Sequence, residues 1–129
     1  MPAVQGFAHM AMSVVDAKRS ADFYAKLLDG NVIDASDDIS PFQVVIAGNV
    51  MVGFRAHRGI ASGDRFDHNR VGLDHVAFMV ASGDELEQWR ARLDEQGITN
   101  SGIQTDPAGM HLNARDPDNI AIEFYVMPS

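Results

Sequence analysis

Two histidines open two similar stretches of this chain, Phe7-Ala-His9-Met-Ala-Met and Leu73-Asp-His75-Val-Ala-Phe, and a lone glutamate, Glu123, stands in the apolar run Ile120-Ala-Ile-Glu-Phe-Tyr-Val126. Two neutral imidazoles and one carboxylate are a donor set for a divalent metal, and they leave coordination positions open for substrate and water or dioxygen. The sequence contains no cysteine, which excludes disulfides, thiolate chemistry and cysteine-ligated zinc or iron–sulfur clusters. The expected cofactor is therefore a divalent ion held by nitrogen and oxygen: Fe(II), Mn, Ni, Co or Zn, with Mg also compatible with the donors.

Elements of regular structure must carry these three side chains. An apolar segment over 7–15 leads to Asp16, a candidate N-cap for a helix over Ala17–Leu28, and Ser20, Ala21, Tyr24, Leu27 and Leu28 share one face of it. Asp29-Gly30 stops that helix. Strand-like pieces follow at 31–36, Phe42–Ala47 and Val50–Arg55, the last two joined by the hairpin pair Gly48-Asn49. From residue 73 the order recurs. A strand over 73–80 precedes the capping-box pattern Ser82-x-x-Glu85 and a helix with Leu86, Trp89, Arg90 and Leu93 on one face, ended by Gly97. Strands are expected near 98–104, 109–115 and 120–126, the last two joined by Asp116-Pro-Asp-Asn119. His9 and His75 are 66 residues apart, as are Asp16 and Ser82, and Gly30 and Gly97 are 67 apart. That near-constant offset marks a duplicated βαβββ unit: module one over 5–57, a linker over 58–72 that is a candidate lid, and module two over 73–127, all in a single domain spanning 1–129.

Side chains alternate faces along a strand. His9 then shares a face with Ala11 and Ser13, against Met10, Met12 and Val14; His75 with Ala77 and Met79, against Val76, Phe78 and Val80; Glu123 with Ala121 and Tyr125, against Ile122, Phe124 and Val126. In all three strands the polar residue lies opposite the core face. A lone His or Glu there is ordinarily solvated, but three at equivalent places of a repeat point to ligation, and a cation offsets the cost of a carboxylate among apolar neighbours. His111 and Tyr125 are candidate catalytic groups, the first as a base and the second as a donor. The bland alternatives are a rim histidine and a packing tyrosine. Asn113, Arg55 and His57 are candidate substrate contacts, the last two also readable as solvated strand-end residues.

A formal charge of −8 and a pI near 4.8 argue against a nucleic-acid backbone or an anionic membrane as partner, since both call for clustered cations. No apolar run approaches bilayer length and the start lacks a secretion-signal layout. The expectation is a cytoplasmic protein with a small-molecule partner.

The stretches His9-Met-Ala-Met-Ser-Val-Val-Asp16 with Phe23-Tyr24, Leu73-Asp-His75-Val-Ala-Phe, and Arg115-Asp-Pro-Asp-Asn-Ile-Ala-Ile-Glu123-Phe make the chain resemble the vicinal oxygen chelate superfamily of glyoxalases, extradiol dioxygenases, fosfomycin-resistance transferases and bleomycin-resistance proteins. The resemblance implies an α+β fold in which two βαβββ modules form a cupped, incompletely closed mixed β-barrel with helices outside. It also implies a homodimer, with ligands from one chain or two. Two departures stand out. Gly53 occupies the place where glyoxalase I carries a fourth ligand, and Asn113 stands where dioxygenases and fosfomycin enzymes commonly have a tyrosine. His57 and His68 are candidates for the acid–base histidine of a dioxygenase. The function implied is a metal-dependent enzyme chelating vicinal oxygens of a small substrate. The competing implication is a non-catalytic drug- or metabolite-binding protein of the bleomycin-resistance type, and a third is half of a larger hetero-oligomeric assembly.

Overall fold

The computed structural model describes residues 1–128, which divide into two compact units, one over Met1–Asp64 and one from Arg65 onward. The boundary falls inside the expected 58–72 linker.

In the first unit, β1 (Met10–Ser13), α1 (Ala17–Leu28), β2 (Asn31–Asp34), β3 (Phe42–Ala47) and β4 (Val50–Arg55) follow in order, and the sheet runs β1-β4-β3-β2. β1 pairs parallel to β4 and the other pairings are antiparallel. Asp16 caps α1, its carboxylate accepting from the Arg19 backbone N–H at 3.0 Å. The helix ends with Asp29 rather than Gly30 in the left-handed conformation, at φ 54°. Gly30 is needed for a different reason: a Cβ there would lie 2.9 Å from both the Ile46 carbonyl oxygen and Val45 Cγ1. Ala17, Ser20, Ala21, Tyr24 and Leu27 are buried on the helix face turned to the sheet, where Val45, Val52 and Phe54 are also buried. Tyr24 stacks on Phe54 at 4.9 Å between centroids.

The second unit repeats the plan with β5 (Val76–Met79), α2 (Gly83–Glu95), β6 (Asn100–Asp106), β7 (Gly109–Arg115) and β8 (Ala121–Val126), the sheet running β5-β8-β7-β6. Ser82 caps α2 by accepting from Glu85 N at 3.2 Å, and the Glu85 carboxylate reaches back to Ala81 N at 3.4 Å. Leu86 and Leu93 are buried, and Trp89 stacks on Phe124 at 4.4 Å. The Asp116 carboxylate closes the β7–β8 turn by accepting from the Asp118 and Ile120 amides, both at 2.9 Å. Phe66, in the segment before β5, is tied to that turn: its amide donates to the Asp118 carbonyl at 2.8 Å and its carbonyl accepts from Asn119 Nδ2 at 3.2 Å.

The α+β fold of two βαβββ modules expected from sequence is what forms, each sheet being mixed and open. Several strand boundaries differ. β6 lies two residues later than the expected 98–104, because the Ile98 amide still serves the end of α2 by donating to the Leu93 carbonyl, and Gly102 bulges the strand with φ 69°. β1 and β5 begin one residue after His9 and His75, so each histidine stands at a strand entrance.

Candidate metal centre

Within each unit the alternation holds. Met12 and Val14 are buried against exposed His9, Ala11 and Ser13; Val76 and Val80 are buried against exposed His75, Ala77 and Met79; Ile122 and Phe124 are buried while Glu123 looks away from the helix. Each sheet thus has a core face under its helix and an open face.

On the open face of the second sheet, His75 and Glu123 come together. His75 Nδ1 is 2.7 Å from Asp74 Oδ1, and its other nitrogen, Nε2, is 3.9 Å from Glu123 Oε1. An ionised carboxylate can only accept, so Nδ1 carries a hydrogen, and in the neutral imidazole Nε2 is the nitrogen that keeps a lone pair. The same hydrogen bond holds the Asp74 carboxyl below the usual carboxylate range. Glu123 is flanked in register by Ala77 on β5 and Asn113 on β7. Its side chain is only 15% exposed. Beside the pair opens a cleft of about 420 Å³ lined by His68, Asp74, His75, Asn113, Ala114, Arg115, Ala121, Ile122 and Glu123.

These donors fit a divalent ion. Two ligands at about 2.1 Å from one ion and at right angles are about 3 Å apart, and a small side-chain rotation closes 3.9 Å to that distance. Ligation through Nε2 requires a hydrogen on Nδ1, where His75 meets Asp74, and such a carboxylate partner is the usual support of a metal-bound imidazole. Among the described residues no three His, Asp or Glu side chains stand together as a complete metal-holding group. His9 lies in the first unit, exposed, at the place His75 holds in the second.

The other candidates divide between the units. On β7, His111 is enclosed: Nε2 lies 3.1 Å from Asp106 Oδ2, Nδ1 lies 3.0 Å from Asn113 Nδ2, and Nδ1 is 3.9 Å from Glu123 Oε2. The Asn113 amide also donates toward Gln104 Oε1 at 3.4 Å. Asp106 is a member of this group that the sequence does not single out; its carboxylate accepts from the Ala108 amide and from His111, which holds its pKa below the ordinary value. Tyr125 donates its hydroxyl hydrogen to the Ala108 carbonyl, in the same β6–β7 turn. Gly109, at φ 140°, leaves the space for this, since a Cβ there would collide with the Val126 carbonyl and come within 3.1 Å of the Tyr125 hydroxyl.

In the first unit, Arg55 is clamped by Asp37, at 3.0 and 3.1 Å, and by the Ser40 hydroxyl at 3.0 Å, with its guanidinium over the Phe42 ring at 4.4 Å. That ion pair lowers the Asp37 pKa to about 2. His57 is exposed in the turn after β4, its carbonyl accepting from the Ile60 amide. At Gly53 a Cβ would meet Phe42 Cζ at 2.8 Å. The Phe42 ring therefore covers the position that carries a glutamate in the other module.

A family model described as the glyoxalase/bleomycin resistance protein/dioxygenase superfamily matches residues 6–124. The chain belongs to this superfamily. Among solved structures, a glyoxylase/bleomycin resistance protein/dioxygenase domain from Frankia sp. EAN1pec is 31% identical, covers 98% of this chain and 95% of its own, and superposes with a TM-score of 0.88. A glyoxalase family protein from Enterococcus faecalis is 20% identical over 94% of this chain and 97% of its own, at a TM-score of 0.78. A mutant of the fosfomycin resistance protein FosX from Listeria monocytogenes, complexed with Mn(II) and 1S,2S-dihydroxypropylphosphonic acid, is 15% identical over 98% of this chain and 95% of its own, at 0.73. At such identities the last two show a shared fold and nothing about substrate. No functionally curated protein matches the chain. Among the described residues, no helix is long and apolar enough to cross a membrane.

Proposed function

We propose that this superfamily member is a divalent-metal-dependent enzyme of the glyoxalase and dioxygenase type, acting on a small molecule with two adjacent oxygens. His75 and Glu123 are its ligands in the second unit and His9, from the same chain or a second copy, is the third. The observation that carries this reading is the His75–Glu123 pair: Nε2 lies 3.9 Å from a largely buried carboxylate while Nδ1 is hydrogen-bonded to Asp74, at the wall of a cleft. When bound, the ion (Fe(II), Mn, Ni, Co or Zn) supplies Lewis acidity and open positions for two substrate oxygens.

The chain's own residues do the rest. Asn113 contacts the substrate beside Glu123, with Arg115 and His68 on the same cleft. His111, with both ring nitrogens occupied, acts through Asn113, and Tyr125 holds the turn behind it. Arg55, clamped on Phe42, shapes the open face of the first sheet, and His57 adds an exposed imidazole after β4. We place the working form in the cytoplasm as a homodimer without nucleic-acid or membrane partners.

Thermal unfolding with Mn(II), Ni(II), Zn(II) and, without oxygen, Fe(II) tests the reading. At an ion concentration a hundredfold above Kd, the wild type gains about 2.7 kcal/mol, and Glu123→Ala gains nothing. Equal stabilisation of Glu123→Ala contradicts the site. Stabilisation by hydrophobic drugs with no response to metal selects the non-catalytic binding protein instead. Mixing His9→Ala with His75→Ala subunits then decides the source of the ligands. Metal binding returns in the mixed dimer only if one site draws on both chains.

A further inference from the structure

Four side chains, Asp106, His111, Asn113 and Gln104, form a row of hydrogen bonds on the open face of the second sheet, and of the four Asn113 lines the cleft. Asp106 Oδ1 accepts from the Ala108 amide at 2.8 Å, leaving Oδ2 to face His111 Nε2 at 3.1 Å. A carboxylate only accepts, so in the neutral imidazole Nε2 carries the hydrogen and Nδ1 is left as an acceptor. Nδ1 takes a hydrogen from Asn113 Nδ2 at 3.0 Å, and the same amide nitrogen donates toward Gln104 Oε1 at 3.4 Å. Both amide hydrogens of Asn113 are thereby committed, and what Asn113 has to offer the cleft beside Glu123 is its carbonyl oxygen, Oδ1.

We propose that Asp106 is a positioning residue that sets the hydrogen-bonding polarity of the cleft wall: through the tautomer of His111 it makes Asn113 an acceptor, so the substrate carries a hydroxyl or N–H donor at that place. The inference rests on the cleft being the substrate site, but its mechanism is a property of the metal-free protein. Asp106→Asn reverses the row. The side-chain oxygen of the new amide stays on the Ala108 N–H, so its NH2 falls opposite His111 Nε2, which must then accept. The hydrogen moves to Nδ1, Asn113 turns its oxygen to that hydrogen and Gln104 turns its NH2 to the same oxygen, and the NH2 of Asn113 enters the cleft. A distant isosteric change thus converts an acceptor wall to a donor wall.

The test is ¹⁵N NMR of metal-free protein at mildly alkaline pH, where a free imidazole is neutral. In the wild type, the shifts of His111 are those of a protonated Nε2 and a bare Nδ1, and a scalar coupling links Asn113 Nδ2 to His111 Nδ1. In Asp106→Asn the two ring shifts exchange and that coupling disappears, while the melting temperature stays close to that of the wild type. In Asp106→Ala the tautomers mix. A wild-type spectrum with protonated Nδ1, or an unchanged tautomer in both variants, overturns the proposal, and the wild-type spectrum decides alone if neither variant folds. Metal binding in Glu123→Ala bears on the metal centre only, so the spectra judge the role of Asp106 independently of it.

Discussion

The open faces of the two sheets share one backbone plan and opposite chemistry. In the second unit the row Asn113, Glu123, Ala77 crosses the sheet in register, with His111 and Tyr125 paired beside it. In the first unit the corresponding row is Val44, Gly53, Ala11, flanked by Phe42 and Arg55, with Ile46 and Met51 beyond. A duplicated fold fixes where side chains stand but not what they are. One copy carries a carboxylate and its hydrogen-bonding neighbours, and the other has glycine at that place with an aromatic ring laid over the gap. The first unit offers only His9 from the polar set, so the proposed metal centre draws most of its protein donors from the second unit.

Introducing a carboxylate on the first face should break it rather than convert it. Gly53→Glu forces Phe42 off its place and Arg55 off the ring, and overpacking of this kind costs about 1–3 kcal/mol, read as a lower denaturation midpoint. Adding Phe42→Ala should recover part of that loss, a non-additivity that urea titration of the double variant measures. In the second unit, Asp74→Ala should weaken metal binding about 10–100-fold, because the His75 tautomer is no longer fixed, while metal-free stability changes little. Isothermal titration calorimetry reads the difference, and an unchanged affinity would mean that Asp74 is a surface partner only.

Smaller effects test how evenly the two units match. Asp16→Ala and Ser82→Ala remove equivalent caps of α1 and α2, and each should cost about 1 kcal/mol in chemical denaturation. The smallest effect belongs to the Asp37–Arg55 clamp. The folded Asp37 pKa, lowered to about 2 by the Arg55 hydrogen bond, means that the contribution of the clamp is complete above the ordinary value of 3.8 and is lost as pH falls toward 2. Asp37→Asn should flatten the stability slope in that window and leave the slope above about pH 5 as it was.

Much of this is legible in the sequence, for a physical reason. Period-two alternation in three apolar runs puts His9, His75 and Glu123 opposite the core, and caps and turn residues locate both helices and the β7–β8 turn. The partners are harder to see. Adjacent residues in a strand point to opposite faces, so Asp74 does not present itself as a companion of His75; the contact arises because both precede β5. Asp106 escapes notice because the strand carrying it runs two residues later than its apolar pattern suggests, which brings it level with the β6–β7 turn beside His111. The cover over Gly53 depends on the β3–β4 register, which no local pattern encodes.

The central claim is that His75 and Glu123 are metal ligands. Metal analysis of protein purified without chelator and reconstituted anaerobically, wild type beside His75→Ala, tests it most directly. One ion per site in the wild type and none retained by the variant is the predicted result. Substoichiometric metal that persists after reconstitution, or full occupancy in His75→Ala, would contradict it.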